Sequence, residues 1–214
     1  RLPAVILLFA LASGCKQKAG SDTFTVSGKI TGHKARMIYL EEIPVTMQRL
    51  IVDSAKLGSD GKFKLHTDAK EAMVYNLRLD QNAYPLASII NDAPELTVDV
   101  KMSKDNDQFA ESYDVKGSPA STQMKDFMLS MNNDLQKIYA ISTKADSMVA
   151  NGAASDSIIN AMMAERAGVA QHTKKVFQDA MALSKNPALS LFELSYYQTM
   201  SNNPSFKLES VNNE

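Results

Sequence analysis

The sequence predicts an α+β protein: an N-terminal antiparallel β-sandwich or partly open barrel, followed by an α-helical hairpin and a third helix. Three observations support this fold class. Polar and apolar residues alternate from Thr23 to about Val115, which is typical of strands. From Gly117-Ser118-Pro119 onward the apolar residues recur at helical spacing instead. Short breaks rich in Asn, Gly and Pro then divide this second half into three segments.

The first fourteen residues predict a lipoprotein signal peptide. Arg1 supplies a positive charge, the run from Leu2 to Ala12 is apolar, and Ser13-Gly14 places small residues before Cys15. This order is typical of a secretory signal, and the run is shorter than the roughly 20 apolar residues that span a bilayer. The segment ending at Cys15 resembles a bacterial lipobox, although Ala12 stands where a larger aliphatic residue is commoner. We therefore expect residues 1–14 to be removed and Cys15 to be lipidated.

Lipidation at Cys15 predicts where the protein resides. A diacylglyceryl thioether and an N-acyl chain together provide the two lipid signals that stable anchoring requires. We expect a lipid-anchored, periplasm-facing envelope protein, in the outer rather than the inner membrane, with residues 15–22 as a tether. The alternative is a signal peptide cleaved elsewhere, which leaves a free thiol. Cys15 is the only cysteine of the chain, so its acylation would leave this segment without a thiol for redox chemistry.

Composition excludes some partners. The formal net charge is −1, whereas a nucleic-acid-binding protein needs a basic face. The membrane, through the lipid anchor, and periplasmic client proteins are the expected partners, and no cofactor is expected. The chain begins with Arg1 and has no closing element after Pro204, so we interpret it as part of a longer protein, with residues 204–214 starting a linker to a C-terminal domain.

Residues 23–117 predict a β-rich domain of seven or eight short strands. Gly28 interrupts the first strand, which indicates a bulge or a close approach of another backbone. Asp60-Gly61 is a strong hairpin signal between the third and fourth strands. The predicted strands begin near Thr23, Met37, Leu50, Lys62, Met73, Leu86 and Leu96.

Residues 118–203 predict a helical region. Ser118 is placed to cap the first helix, and Pro119 suits its first position. Asn151–Ala154 breaks the helix and predicts an antiparallel hairpin, and a third helix runs from Asn186-Pro187 to Asn202-Asn203-Pro204. The apolar stripe of the first helix comprises Met124, Met128, Met131, Leu135, Ile138, Ala145 and Met148, that of the second Ile158, Met162, Val169, Val176, Ala180 and Leu183, and that of the third Leu189, Phe192 and Tyr196. Since these methionines follow a stripe rather than a cluster, core packing is favoured over a Cu(I) site.

The three histidines do not predict a metal site. His33, His66 and His172 are far apart and lack metal-ligand spacing. We expect His66 to form a surface pair with Asp68, and His172 to lie on a solvated helix face.

Catalytic motifs are equally weak. Asp53, Ser54 and His66 are the residue types of a hydrolytic triad, but no Gly-x-Ser-x-Gly elbow accompanies them. Ser54 is interpreted as ending a strand and beginning a turn. Asp105-Asn106-Asp107 lacks the spacing of a calcium loop and is interpreted as a solvated loop. No catalytic, cofactor-binding or metal-binding residue is therefore predicted in this segment.

Several short motifs together resemble a known family. They are Phe24-x-Val26-x-Gly28-x-Ile30, Ile38-Tyr39-Leu40, Val52-Asp53-Ser54-Ala55, Asp60-Gly61-Lys62-Phe63 and Val115-Lys116-Gly117-Ser118. The pattern resembles a domain-of-unknown-function family that forms the N-terminal part of Gram-negative envelope lipoproteins. Their C-terminal part is thioredoxin-like, of the alkyl hydroperoxide reductase/thiol-specific antioxidant and thiol:disulfide interchange type. The resemblance covers residues 23–118, and the helical hairpin in outline.

The resemblance implies a non-catalytic role for these residues. In such proteins the catalytic Cys-x-x-Cys belongs to the downstream domain, and none occurs in this chain. Our first hypothesis is therefore an anchored accessory or docking module of a thioredoxin-like thiol:disulfide oxidoreductase or peroxidase. The alternatives are a stand-alone envelope lipoprotein that binds a ligand or protein partner, and a hydrolase that uses Ser54 and His66.

Overall fold

The computed structural model describes residues 23–43, 49–69, 71–80, 82–153 and 155–210. The predicted signal peptide, Cys15 and the tether lie outside the described residues, as does the end of the predicted linker after residue 210.

Within the described residues, eight strands form two four-stranded sheets. The strands are β1 (Thr23–Thr31), β2 (Met37–Glu42), β3 (Leu50–Lys56), β4 (Lys62–Asp68), β5 (Val74–Leu79), β6 (Ala87–Ile90), β7 (Glu95–Met102) and β8 (Ala110–Lys116). The first sheet has the order β4-β1-β7-β8 and the second the order β3-β2-β5-β6. β1 runs parallel to β7, whereas the other described pairs are antiparallel.

The two sheets share one hydrophobic core. Alternate residues of strands in both sheets face it, as the period of two requires. Val26, Leu65 and Val98 from the first sheet and Leu40 and Leu77 from the second are each 0% exposed. The architecture is therefore a sandwich rather than a closed barrel, and the predicted fold class is confirmed.

The hairpin predicted at Asp60-Gly61 is wrong. β3 pairs with β2, and β4 pairs with β1, so the Gly61 turn carries the chain from one sheet to the other. Gly61 has a φ of +68°, and a Cβ there would lie 2.0 Å from the carbonyl oxygen of Ile30. The glycine is required because the turn is left-handed and packed against β1, and both conditions hold without a hairpin.

The close approach predicted at Gly28 is confirmed. Gly28 is the register partner of Val98 in the parallel β1–β7 pair. A Cβ at Gly28 would lie only 1.8 Å from the carbonyl oxygen of Val98. A side chain is therefore excluded where the two central strands of the first sheet meet.

In the part of the chain that the structure describes, three helices follow the sandwich: α1 (Pro119–Ala150), α2 (Asp156–Leu183) and α3 (Pro187–Ser201). The Ser118 side chain caps α1 as predicted, accepting a hydrogen bond from the Ser121 backbone N–H. The core of the helical region is built around Phe127, Met131, Leu135, Ile138, Phe177, Tyr197 and Leu208. No helix in the described part of the chain is both long enough and apolar enough to cross a membrane.

The predicted stripe of α2 needs a correction. Ile158 and Leu183, at its two ends, are 45% and 64% exposed. The buried residues of this helix are Arg166, Thr173 and Phe177. Arg166 is buried because its guanidinium donates to the Phe206 carbonyl and the Ser142 hydroxyl, a pairing that an apolar pattern does not predict.

A polar joint attaches α1 to the second sheet. The Ser118 hydroxyl donates to Asp92, whose second carboxylate oxygen accepts from the Ala120 N–H at 2.8 Å. The Ser121 hydroxyl accepts from the Ile90 N–H at 2.8 Å, at the end of β6. Beside this joint, a small apolar cluster of Ile90, Ala120, Met124 and Leu189 joins the sandwich to α1 and α3. The first turn of α1 is thus fixed to the sandwich, which sets the position of the helical region.

Candidate functional site

The structure places Asp53 and His66 together but does not extend them to a triad. Nδ1 of His66 lies 3.3 Å from Oδ2 of Asp53, and the same oxygen accepts from the His66 backbone N–H at 2.8 Å. The pair bridges β3 and β4, the edge strands of the two sheets. Ser54 lies within β3 rather than at its end, and neighbouring strand residues point to opposite faces. The Ser54 hydroxyl is therefore directed away from the Asp53–His66 pair.

One expectation for the histidines needs correction. The partner of His66 is Asp53 rather than Asp68, because the His66 backbone N–H donates to the Asp53 carboxylate and so brings that carboxylate within 3.3 Å of the ring. His172 is exposed, as expected, but its Nδ1 lies 2.5 Å from Oδ2 of Asp134, a buried side chain of α1. Nδ1 of His33 lies 3.2 Å from the carbonyl oxygen of Ala35, two residues along the chain. Among the residues that the structure describes, no three His, Cys, Asp or Glu side chains are grouped to hold a metal ion.

The acidic segment Asp105-Asn106-Asp107 forms an exposed loop, as predicted. The Ser103 hydroxyl accepts from the backbone N–H groups of Asp105 and Asn106, and the Asn106 side chain accepts from the N–H of Gln108. These oxygens therefore organise the turn itself.

The best candidate site is a cavity that the sequence analysis missed. It lies between the three helices, has a volume of about 220 Å³ and is open to solvent on one side. Its lining comprises Gln123, Asp126, Phe127 and Ser130 of α1, Val176, Ala180 and Leu183 of α2, and Glu193 of α3. Apolar side chains thus form much of the wall, with a few polar groups converging on it, as is common for small-molecule sites.

Glu193 is the unusual residue of this cavity. Its side chain is only 1% exposed, and its Oε2 atom has no hydrogen-bond partner among the described residues. Burial raises the pKa of Glu193 to about 7, because removing a carboxylate from water disfavours its charged form. Glu41 is also deeply buried and also has an Oε2 atom without a partner among the described residues, but its Oε1 accepts from the Arg78 guanidinium at 2.7 Å.

A signal for Glu193 was present in the sequence. Leu189, Glu193 and Tyr197 are spaced by four, and all three are buried. Positions four apart lie on the same helix face, so the spacing from Leu189 places Glu193 on the inner side of α3. A charged residue at such a position indicates either a paired ion or a binding site.

One family model matches part of the chain. Residues 24–124, a little under half of the sequence, match the family model described as "Domain of unknown function (DUF4369)". The matched range covers the eight strands and ends in α1 at Met124, a residue of the cluster that joins helix to sandwich. No curated protein matches the chain.

Proposed function

We propose, taking the family match over residues 24–124 as the premise, that this chain is the lipid-anchored accessory module of an envelope protein. The module is non-catalytic and docks periplasmic client proteins for a thioredoxin-like thiol:disulfide oxidoreductase or peroxidase domain on the same polypeptide. The premise concerns the β-rich module alone. The proposal of a catalytic domain rests on the resemblance to envelope lipoproteins described above.

The observation that carries the anchoring proposal is the position of Cys15. It directly follows a charged residue, a short apolar run and the small pair Ser13-Gly14. Acylation of this cysteine would fix the module to a membrane surface with two kinds of lipid chain. Any thiol chemistry of the parent protein would then require cysteines beyond Glu214.

The proposed non-catalytic role is supported by what the polar side chains do. The Asp53–His66 pair bridges two edge strands. Asp134 and His172 link α1 to α2, and Ser118 with Asp92 attaches α1 to the sandwich. Each group has a structural task that accounts for its position.

Two measurements test the proposal. The reading frame beyond the codon for Glu214 should encode a domain with a Cys-x-x-Cys motif; a stop codon, or an extension without paired cysteines, would refute the link to thiol chemistry. Metabolic labelling with palmitate should mark the protein, and Cys15→Ala should abolish the label. Label that persists in Cys15→Ala would refute anchoring through this residue.

A second candidate function is a stand-alone envelope lipoprotein that binds a ligand. One observation favours it: the cavity beside Glu193, whose buried carboxyl group has an oxygen without a partner among the residues that the structure describes. The stop codon that refutes the first candidate would favour this one.

A further inference from the structure

The cavity between the three helices has the size of a small-molecule site. A cavity of about 150 Å³ with apolar walls is known to accommodate benzene, and this one measures about 220 Å³. Phe127, Val176 and Leu183 supply aromatic and aliphatic surface to its wall. An apolar group of about the size of a benzene ring therefore fits, whereas most drug-sized ligands need at least about 300 Å³.

The charge of the lining residues determines which ligand charge the cavity favours. Two acidic side chains line the cavity, Glu193 deep in the wall and Asp126 at the exposed side, and its described lining contains no Lys, Arg or His. Lys125 and Lys175, which are next in sequence to lining residues of α1 and α2, pair with other acids: Lys125 lies 3.4 Å from Asp114, and Lys175 lies 2.7 Å from Asp179. The lining would therefore repel an anion and attract a cation.

Glu193 also needs a hydrogen-bond donor. A buried polar atom without a partner costs free energy, and Oε2 of Glu193 has no partner within the described ranges. A ligand ammonium group has several N–H donors and carries the complementary charge, so it would satisfy the oxygen and neutralise the carboxylate together.

We propose that this cavity binds a small organic amine, with the ammonium group paired to Glu193 and the apolar part packed against Phe127, Val176 and Leu183. Asp126 at the exposed side attracts the cation without contacting its apolar part. The site lies in the helical region and is independent of a downstream catalytic domain. It adds a small-molecule ligand to a module proposed above to contact membrane and protein.

Benzylamine is a suitable probe, with benzyl alcohol as the neutral analogue and benzoate as the anionic one. Calorimetric titration of the purified full chain should show one benzylamine site, with both analogues weaker by roughly tenfold or more, because they lack the charge-assisted hydrogen bond. Benzyl alcohol binding as tightly as benzylamine, or no benzylamine binding at millimolar concentration, would overturn the proposal.

Glu193→Gln tests the role of the carboxylate with almost unchanged shape. It should weaken benzylamine binding by roughly tenfold or more and leave benzyl alcohol binding unaltered. Asp126→Asn, which changes an exposed side chain, should weaken benzylamine binding by a smaller factor. Equal benzylamine affinity in the parent chain and Glu193→Gln would overturn the assignment.

A second pair of variants tests the location of the site without changing its charge. Ala180→Leu adds bulk at a half-buried lining residue of α2, whereas Ala182→Leu adds the same bulk at an exposed position on the same helix. Benzylamine binding should be lost in Ala180→Leu and retained in Ala182→Leu. Retention in both variants, with circular dichroism showing that both are folded, would place the amine elsewhere and refute the proposal.

Discussion

Nδ1 of His172 on α2 lies 2.5 Å from Oδ2 of Asp134 on α1. The Asp134 residue is 2% exposed, and its carboxylate also lies 3.3 Å from Nζ of Lys137 and 3.5 Å from the Thr173 hydroxyl. A buried carboxylate is tolerated when hydrogen bonds compensate its lost hydration. The contact with the exposed His172 imidazole is the shortest of the three, and it fixes α1 and α2 against each other.

His172→Ala should destabilise the protein by about 1–3 kcal/mol, because a buried carboxylate loses its closest donor. Urea unfolding followed by circular dichroism measures the change. Both imidazoles are exposed, so the matched control is His66→Ala, whose partner Asp53 is a less buried carboxylate at 3.3 Å. Exposed pairs contribute less than about 1 kcal/mol. A loss for His66→Ala as large as that for His172→Ala would contradict this account.

The stability of the protein should depend on the ionisation of Glu193. Burial raises its pKa from 4.5 to about 7, so the folded state binds this proton more tightly than the unfolded state. The contribution of Glu193 to the free energy of unfolding is fully present below pH 4.5. It is lost as the pH rises through about 7, and the total loss is at most about 3 kcal/mol. Thermal unfolding between pH 4 and 8 should show this fall in the parent chain and a shallower one in Glu193→Gln.

Asp126→Asn is the control for the pH experiment, because Asp126 lines the same cavity but is exposed. Its pH profile should follow that of the parent chain. If Glu193→Gln and the parent chain showed the same pH dependence, Glu193 would not carry the effect.

Gly28→Ala should strongly destabilise the sandwich. The new Cβ would meet the Val98 carbonyl oxygen at 1.8 Å, so β1 and β7 would have to separate, and we expect a loss above about 2 kcal/mol. Gly168→Ala is the matched control, because Gly168 lies in α2 and nothing stands within 4 Å of its added Cβ. It should stabilise the protein by about 0.5–1 kcal/mol, as alanine favours helix. Equal effects of the two variants in denaturant unfolding would refute the close approach.

The serines that precede α1 and α2 should differ in how much they stabilise the protein. Ser118 accepts from the Ser121 N–H and donates to Asp92, so Ser118→Ala should cost about 1–2 kcal/mol. Ser155 precedes α2 but makes no side-chain capping hydrogen bond, so Ser155→Ala should change stability by less than about 0.5 kcal/mol. Thermal unfolding compares the stability of the two variants. A larger loss of stability in Ser155→Ala than in Ser118→Ala would contradict the role given to the Ser118 hydrogen bonds.

The features that local sequence patterns determine were predicted correctly. Alternation identified β1 and β7, and Ser118-Pro119 located the start of α1, because capping and side-chain period depend on neighbouring residues. The Asp60-Gly61 prediction failed since a left-handed turn serves equally well to connect two sheets. Strand pairing depends on distant residues, and a local turn signal does not encode it.

The candidate site was missed for a related reason. Asp134 and Glu193 are both buried, although charged residues are mostly exposed. Their partners and surroundings come from other helices: Asp134 meets His172 from α2, and Glu193 faces a cavity shared by three helices. Such groupings follow from the packing of helices, so they became evident only in the folded chain.

The most direct test of the proposed anchored module is mass spectrometry of the mature N-terminus, on protein extracted from membranes. The account predicts an N-terminal peptide that begins at Cys15 and carries a diacylglyceryl group and an N-acyl chain. An N-terminal peptide that begins elsewhere, or that holds Cys15 as an unmodified thiol, would contradict it.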